Sequence, residues 1–222
     1  MTTKANRSRG MPRRTNVATA TSRGPLLIGA AVVGVVVLLA VIALALSGGA
    51  GGLAEPATTP TRVSGDVLPA LEADAPADPA VGLAIPSISG TDLAGEPMTI
   101  GPDDGPMAIV IVAHWCPHCQ AEIPLLVDDI ATNGVPDGVK VVTLSTSINR
   151  AQPNYPPSAW LERESWEQPT MVDDADNTAL AALGMSSFPG FVFVDADGNV
   201  VMRTTGEIPV ETWRQALNAI AP

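Results

Sequence analysis

The chain has 222 residues, 46% of them hydrophobic, and its 23 acidic and 12 basic side chains give a formal net charge of −11. All 23 acids lie after residue 54, together with only six of the basic side chains, so this part of the chain carries a net charge of −17. A surface this acidic repels phosphate backbones, and nucleic acid is therefore excluded as a partner.

The N-terminal 46 residues divide into a basic and an apolar segment. Residues 1–24 contain six Lys or Arg and no acid, and residues 25–46 contain no charge. As a helix, the apolar segment would be about 33 Å long, enough to cross the hydrocarbon core of a bilayer. By the positive-inside rule, the basic tail stays in the cytoplasm and the rest of the chain lies outside. We therefore predict a single transmembrane helix in the cell membrane; the alternative is a signal peptide cleaved near Ala45.

The remaining chain consists of a predicted linker and one predicted domain. Residues 47–80 are rich in Gly, Ala, Pro and Thr without apolar periodicity, which indicates a flexible tether. Residues 81–222 have the length of a single domain. Their patterns predict strands within 82–100 and at 107–113, 139–145, 170–172, 191–194 and 199–204, and helices at 117–132, 158–166, 177–183 and 210–220. This alternation predicts an α/β domain in which helices flank a central sheet.

Cys116 and Cys119 are the only cysteines of the chain, and two residues separate them. The strand predicted at 107–113 leads directly into them, and Pro117 suits the first turn of the helix that follows. This layout places Cys116 at a helix N-terminus, where free N–H groups and the helix dipole stabilise a thiolate. We therefore expect Cys116 to be the nucleophile, and Cys119, one turn further into the helix, to resolve the mixed disulfide.

The cysteine pair has two other interpretations, a structural disulfide and half of a zinc site. A structural zinc site needs two more ligands, and the only histidines, His114 and His118, lie in the same short segment. They cannot easily complete a tetrahedron, so the sequence favours redox chemistry without a metal. His118 lies between the cysteines, where its imidazole either stabilises the Cys116 thiolate or is solvated in a turn. His114 is either a packed or exposed strand-end residue or a proton relay.

One carboxylate lies close to the cysteines in the sequence. Glu122 follows Cys119 by three residues and therefore lies on the same helix face. It is either the acceptor of the Cys119 proton during exchange or an ordinary exposed glutamate. The predicted strand at 107–113 has no acid, which leaves Glu122 as the candidate for proton transfer. Trp115, which flanks Cys116, is expected to shield the site.

The sequence around the cysteines resembles the thioredoxin fold. Trp-Cys-X-X-Cys closes a buried strand and opens a helix that contains Pro124. The longer pattern Cys-X-X-Cys-X-X-Glu-X-Pro is similar to the membrane-tethered thioredoxin-like proteins of the TlpA and ResA type. A second segment, Phe188-Pro189-Gly190 followed by a strand and a turn, is similar to the cis-proline loop of that fold. The resemblance extends over about residues 80–221.

The resemblance implies a central mixed sheet flanked by helices, and a thiol-disulfide oxidoreductase with no cofactor beyond its own redox-active disulfide. It implies exported protein thiols or disulfides as substrates, with apocytochrome c among the candidates, and a membrane redox partner that recycles the cysteine pair. Trp115, Phe188 and Pro189 are the expected substrate-binding residues. Pro189 is also expected to face the cysteines, where it would exclude metal and hold the substrate backbone.

Three function classes and two directions of electron flow remain at this stage. A copper metallochaperone of the same fold is the alternative to the oxidoreductase, although such proteins typically space their cysteines by three residues and add a distant histidine. A non-catalytic interaction domain is disfavoured by the helix start and the proline loop. Glu122 resembles reductants, whereas Pro117-His118 resembles strong oxidants, and the two patterns therefore predict opposite directions.

Overall fold

The computed structural model describes residues 60–72 and 75–222. The predicted cytoplasmic tail, the predicted transmembrane helix at 25–46 and the first part of the predicted linker lie outside the described residues. Within the ranges that are described, no helix is both long and apolar enough to cross a membrane.

The described part contains eight strands and four α-helices, together with a 3₁₀ turn at Pro102–Asp104. The strands are β1 (Arg62–Ser64), β2 (Ser87–Asp92), β3 (Pro97–Ile100), β4 (Met107–Val112), β5 (Lys140–Ser145), β6 (Thr170–Val172), β7 (Gly190–Val194) and β8 (Val200–Thr205). The helices are α1 (Pro117–Asn133), α2 (Pro157–Arg163), α3 (Thr178–Ala182) and α4 (Val210–Ile220). The elements predicted between residues 82 and 220 are therefore confirmed, with small differences at their ends.

All eight strands form one mixed sheet in the order β1-β2-β6-β5-β4-β7-β8, with β3 paired to β2. The central strand β4 runs parallel to β5 and antiparallel to β7. Its last residue, Val112, pairs with Ser145, and Ile111 pairs with Gly190. This register brings the start of β7 beside the end of β4, where the cysteines follow. The thioredoxin-like α/β fold with a central mixed sheet is thus confirmed.

The sheet has a hydrophobic core on each face, and β4 contributes to both. Ile109 and Ile111 belong to one core, and Val110 and Val112 belong to the other. Successive side chains of a strand point to opposite faces, which explains why β4 is apolar at every position. The second core also contains Cys116 and the inner faces of α1 and α4. Helices α1 and α4 are therefore held by the same hydrophobic core.

Helix α1 begins immediately after Cys116, which is its N-cap residue in an extended conformation. The helix ends at Asn133, and Gly134 follows with a φ of 69°, its N–H bonded to the Ile130 carbonyl at 2.8 Å. Glycine adopts this left-handed conformation at little cost, so it ends the helix where the sequence predicted. Pro124 lies inside the helix, as the resemblance implied.

The prediction of a flexible linker up to residue 80 is wrong for its described part. Strand β1 pairs with β2 through Val63 and Ile88. Leu68 is only 4% exposed and donates its N–H to the Ala182 carbonyl, and Ala80 is fully buried. This segment has too few large apolar residues to give a periodic signal in the sequence. Its order comes instead from contacts with partners that are distant in sequence. The folded unit therefore includes residues 60–72 and 75–80.

Candidate active site

Cys116 lies between the end of β4 and the start of α1. Its N–H bonds to the Ala113 carbonyl at 3.0 Å, and its own carbonyl accepts the Gln120 N–H at 3.1 Å. The thiol is 5% exposed and lies 3.6 Å from the carbonyl oxygen of Phe188, to which it donates a hydrogen bond. Cys116 therefore has the N-terminal helix position that the sequence predicted.

Cys119 lies one turn further along α1 and is completely buried. Burial raises the pKa of the Cys119 thiol far above its ordinary value, and the nearby Cys116 and Glu122 raise it further. A hydrogen bond with the Ala113 backbone opposes this shift without cancelling it. Cys119 therefore holds its proton until a base accepts it, which suits a resolving thiol that reacts after the nucleophile.

The Phe188–Pro189 peptide is cis and places the Phe188 carbonyl against the Cys116 sulfur. Pro189 is buried, and Gly190 begins β7 directly after it. A side chain at Gly190 would bring its Cβ within 3.0 Å of Met185 Cε and the Ser187 carbonyl. A side chain at this position would therefore force Met185 or the Ser187 carbonyl to move.

Two aromatic side chains lie beside the nucleophile. Trp115 donates its Nε1–H to the Ser147 carbonyl at 2.8 Å, which fixes the indole. The rings of Trp115 and Phe188 meet edge to face with centroids 5.4 Å apart. Both residues are partly exposed. They give the mouth of the site an apolar wall next to Cys116.

Glu122 is fully buried, and the interpretation as an ordinary exposed glutamate is therefore wrong. Its Oε1 accepts the N–H of Ile208 at 3.4 Å, and its Oε2 has no hydrogen-bond partner. Burial raises the pKa of Glu122 to about 7, the Ile208 N–H opposes this shift, and the charge of Glu207 adds to it. An acid that titrates near neutral pH, one helical turn from Cys119, can exchange a proton with that thiol.

The two histidines have different environments. His118 is exposed over 71% of its side chain, and its Nδ1 lies 2.6 Å from Oε1 of Glu207. His114 is fully buried, with Nδ1 2.7 Å from the Pro153 carbonyl and Nε2 accepting the Asn149 N–H at 3.2 Å. Burial lowers the pKa of His114, so the ring is neutral and Nδ1 carries the proton. His114 is therefore a packed strand-end residue that holds the loop after β5.

Sequence reasoning missed the loop between β8 and α4, residues 206–209. Glu207 and Ile208 lie 89 and 86 residues from their partners His118 and Glu122, so no local spacing connects them. The only available signal was topological, since β8 neighbours β7 and α4 packs on the core that contains the cysteines. Across residues 60–72 and 75–222, no group of three or more His, Cys, Asp or Glu side chains has a metal-binding arrangement.

Comparison with known proteins identifies the family and the fold. The family model of Redoxin matches residues 80–220. A search of curated proteins found no match. Among solved structures, the thioredoxin domain of a thiol-disulfide oxidoreductase from Bacteroides vulgatus is 18% identical with a TM-score of 0.52, over 64% of this chain and 98% of that chain. A thiol:disulfide interchange protein of the thioredoxin family from Chlorobium tepidum TLS is 22% identical with a TM-score of 0.51, over 63% and 96%.

These two likenesses establish the fold, and the family match covers both cysteines and the proline loop. Cys116 and Cys119, both free thiols, lie within the matched residues. The chain therefore belongs to the Redoxin family and is a thioredoxin-like thiol-disulfide oxidoreductase.

Proposed function

We propose that this protein exchanges disulfides with exported proteins, or with apocytochrome c, through Cys116 and Cys119. In this proposal residues 25–46 tether it to the cell membrane, and its folded domain works outside the cytoplasm. The observation that carries the exchange reaction is the position of Cys116 at the start of α1, with Sγ 3.6 Å from the Phe188 carbonyl of the cis-proline loop.

In the direction that reduces the substrate, the exchange takes two steps. Cys116 first loses its thiol proton. The thiolate attacks one sulfur of a substrate disulfide, the substrate S–S bond breaks, a mixed disulfide forms, and the released substrate thiolate takes up a proton. Cys119 then loses its proton and attacks Sγ of Cys116, which breaks the mixed disulfide and releases the second substrate thiol. Two electrons and two protons pass to the substrate, and a Cys116–Cys119 disulfide remains. The oxidising direction is the reverse of these steps.

Glu122 is the proposed proton acceptor for the second step. Its raised pKa of about 7 means that a substantial fraction is ionised near neutral pH. Its unpartnered Oε2 is free to accept the Cys119 proton without first breaking a hydrogen bond. The proton then passes to the departing substrate thiolate. The cysteine pair needs no further cofactor for this chemistry, but it does need a membrane redox partner that returns it to its starting state.

The aromatic wall and the proline loop are the proposed substrate-binding surface. The Phe188 carbonyl accepts the hydrogen of the Cys116 thiol in the free protein. That hydrogen is lost when Cys116 enters the mixed disulfide, so the carbonyl becomes free to accept an N–H from the substrate backbone. The rings of Trp115 and Phe188, which pack edge to face, offer apolar contact to side chains that flank the substrate cysteine.

Cysteine variants of the full-length chain test the reaction. Cys119→Ser should accumulate a mixed disulfide with a model protein disulfide such as insulin, visible on non-reducing gels, because the resolving thiol is absent. Cys116→Ser should form none and should lose exchange. In the reduced wild-type chain, alkylation should label Cys116 before the buried Cys119. Preferential labelling of Cys119 would reverse the two roles, and a redox titration against glutathione then gives the direction of exchange.

The location is tested independently of the chemistry. A reporter that is active only outside the cytoplasm, fused after Pro222, should be active, and the chain should stay in membranes after washing with salt and carbonate. Release of a soluble product cut near Ala45 would show that residues 25–46 are a signal peptide.

A further inference from the structure

The loop between β8 and α4 contacts three parts of the active site with three consecutive residues. Gly206 donates its N–H to the carbonyl of Pro189 at 2.8 Å. Glu207 lies 2.6 Å from Nδ1 of His118, between the cysteines. Ile208 donates its N–H to Glu122 at 3.4 Å. A single short segment thus joins the proline loop, the cysteine motif and the buried acid.

The backbone of this loop is held firmly on both sides of Glu207. Gly206 has a φ of 83°, which glycine adopts without strain. Ile208 is only 8% exposed and belongs to the core that contains Cys116 and Cys119. Pro209 follows as the N-cap residue of α4. The Glu207 carboxylate is therefore presented at a defined place, although its side chain is 46% exposed.

We propose that Glu207 is a positioning residue for the resolving step: its carboxylate fixes the His118 imidazole at the rim of the site and places a negative charge on the residue next to Ile208, which bonds to Glu122. The inference rests on the proposed exchange through Cys116 and Cys119. Glu207 acts through His118, to which it bonds, and through Glu122, to which its neighbour Ile208 bonds.

The charges that face Glu122 support this role. In the described part of the chain, burial and the charge of Glu207 on the opposing loop both raise the pKa of Glu122, and Glu122 in turn raises the pKa of Cys119 on its own helix. The negative charge of Glu207 disfavours a second negative charge on Glu122, in the same direction as burial and against the Ile208 N–H. Removing that charge should let Glu122 ionise, and so accept the Cys119 proton, at lower pH.

A single-turnover reaction of the reduced full-length chain with dithiobis(nitrobenzoate) separates the two steps. Attack by Cys116 breaks the reagent disulfide and releases one thionitrobenzoate; attack by Cys119 on the resulting mixed disulfide releases the second and leaves the Cys116–Cys119 disulfide. Because the chain has no other cysteine, the second release reports Cys119 alone. Its rate is measured across the pH range around the titration of Glu122.

Glu207→Gln should move the pH midpoint of the second release lower by roughly 0.5 unit, the size expected for one partly screened charge. Glu207→Asp keeps the charge and should keep the wild-type midpoint. Glu211→Gln is the matched control. Glu211 is exposed on the first turn of α4, four residues after Glu207, and the substitution removes an equal charge. It should leave the midpoint unchanged.

The variant Glu122→Gln decides whether the charge acts through the buried acid. In that background Glu207→Gln should produce no further shift. The inference is overturned if Glu207→Gln has the wild-type midpoint, or if its shift persists without Glu122. If the wild-type chain releases only one thionitrobenzoate and forms no internal disulfide, the proposed function itself is rejected, and this inference with it.

Discussion

The two ends of α1 each contain a buried carboxylate, and the two carboxylates have opposite surroundings. Asp129, near the C-terminal end, accepts hydrogen bonds from Trp213 Nε1 at 3.1 Å, Arg214 Nε at 2.7 Å and Asn133 Nδ2 at 2.8 Å. Burial raises the pKa of Asp129, but the bonds from Arg214, Asn133 and Trp213 outweigh it and hold the pKa below its ordinary value. Asp129 is therefore ionised at neutral pH.

Glu122, near the N-terminal end, has one long hydrogen bond and one unpartnered oxygen, and its pKa is raised to about 7. An unpartnered buried polar atom costs stability, and this one belongs to the residue proposed as the proton acceptor. One helix thus holds two carboxylates of different kinds. Its C-terminal half anchors α4 with an ion pair, and its N-terminal half contains the acid for which proton exchange is proposed.

The largest expected effect concerns the anchoring half. Asp129→Ala leaves the buried Trp213 N–H and the partly buried Arg214 without their acceptor, and we expect it to lower the free energy of unfolding by about 4 kcal/mol. Chemical denaturation measures this change. Asp128→Ala, at the exposed neighbouring position, is the control and should cost less than about 1 kcal/mol. Equal effects of the two substitutions would show that Asp129 does not anchor α4.

The second prediction concerns the pH dependence of stability. The ionisation of Glu122 lowers the stability as pH rises, whereas that of Asp129 raises it. The folded-state pKa of Glu122 is raised from 4.5 to about 7, so its stabilising contribution is full below the unfolded value and is lost as pH rises through about 7. The loss amounts to about 3 kcal/mol for this shift. Asp129, whose pKa is lowered, contributes above the unfolded value of 3.8 and loses that contribution only in stronger acid.

The variant Glu122→Gln isolates this contribution. Between about pH 5 and about pH 8, the wild-type chain should lose stability relative to Glu122→Gln, because the amide does not ionise. Denaturation curves of both chains at several pH values measure the difference. Parallel stability profiles would mean that Glu122 ionises as easily as an exposed glutamate, and the proposed proton acceptor would then have no special property.

The sequence predicted the fold because its signals were local. The apolar run of β4, Pro117 at the start of α1 and Gly134 at its end each identify an element from a few neighbouring residues. Strand β1 was missed because only three residues form it, and its order depends on β2. The ion pair between Asp78 and Arg203 likewise joins positions 125 residues apart and has no local signature.

For the site as well, the sequence predicted what depends on local spacing and missed what depends on long-range contacts. The roles proposed for Cys116, Cys119 and Glu122 follow from spacing within one helix, which fixes their relative positions. The burial of Glu122 did not follow, since it depends on Ile208 in the loop before α4. The direction of the His118 side chain depends on Glu207 in the same way. Sequence spacing thus identified the reacting groups, and long-range packing determines their electrostatics.

The smallest effect is expected for His118, which lies in the active-site half but is largely exposed. A charged imidazole stabilises the Cys116 thiolate, and therefore the dithiol form, so His118→Gln should make the reduction potential more negative. Solvent screening and the hydrogen bond to Glu207 weaken this influence, and we expect a change of only about 10–20 mV. Equilibration with glutathione buffers and alkylation of free thiols measures it.

The size of that change tests the division of α1 into two halves. If His118→Gln moves the potential by more than about 60 mV, the imidazole acts directly on the sulfur, and the oxidant-like character of Pro117-His118 then outweighs Glu122. A small change means that the exposed His118 contributes little to the reduction potential. The buried Glu122 then dominates the chemistry of the N-terminal half of α1. In the Glu207→Gln background, which lacks the hydrogen bond that weakens the influence of the imidazole, His118→Gln should make the potential more negative by more than it does in the wild-type chain.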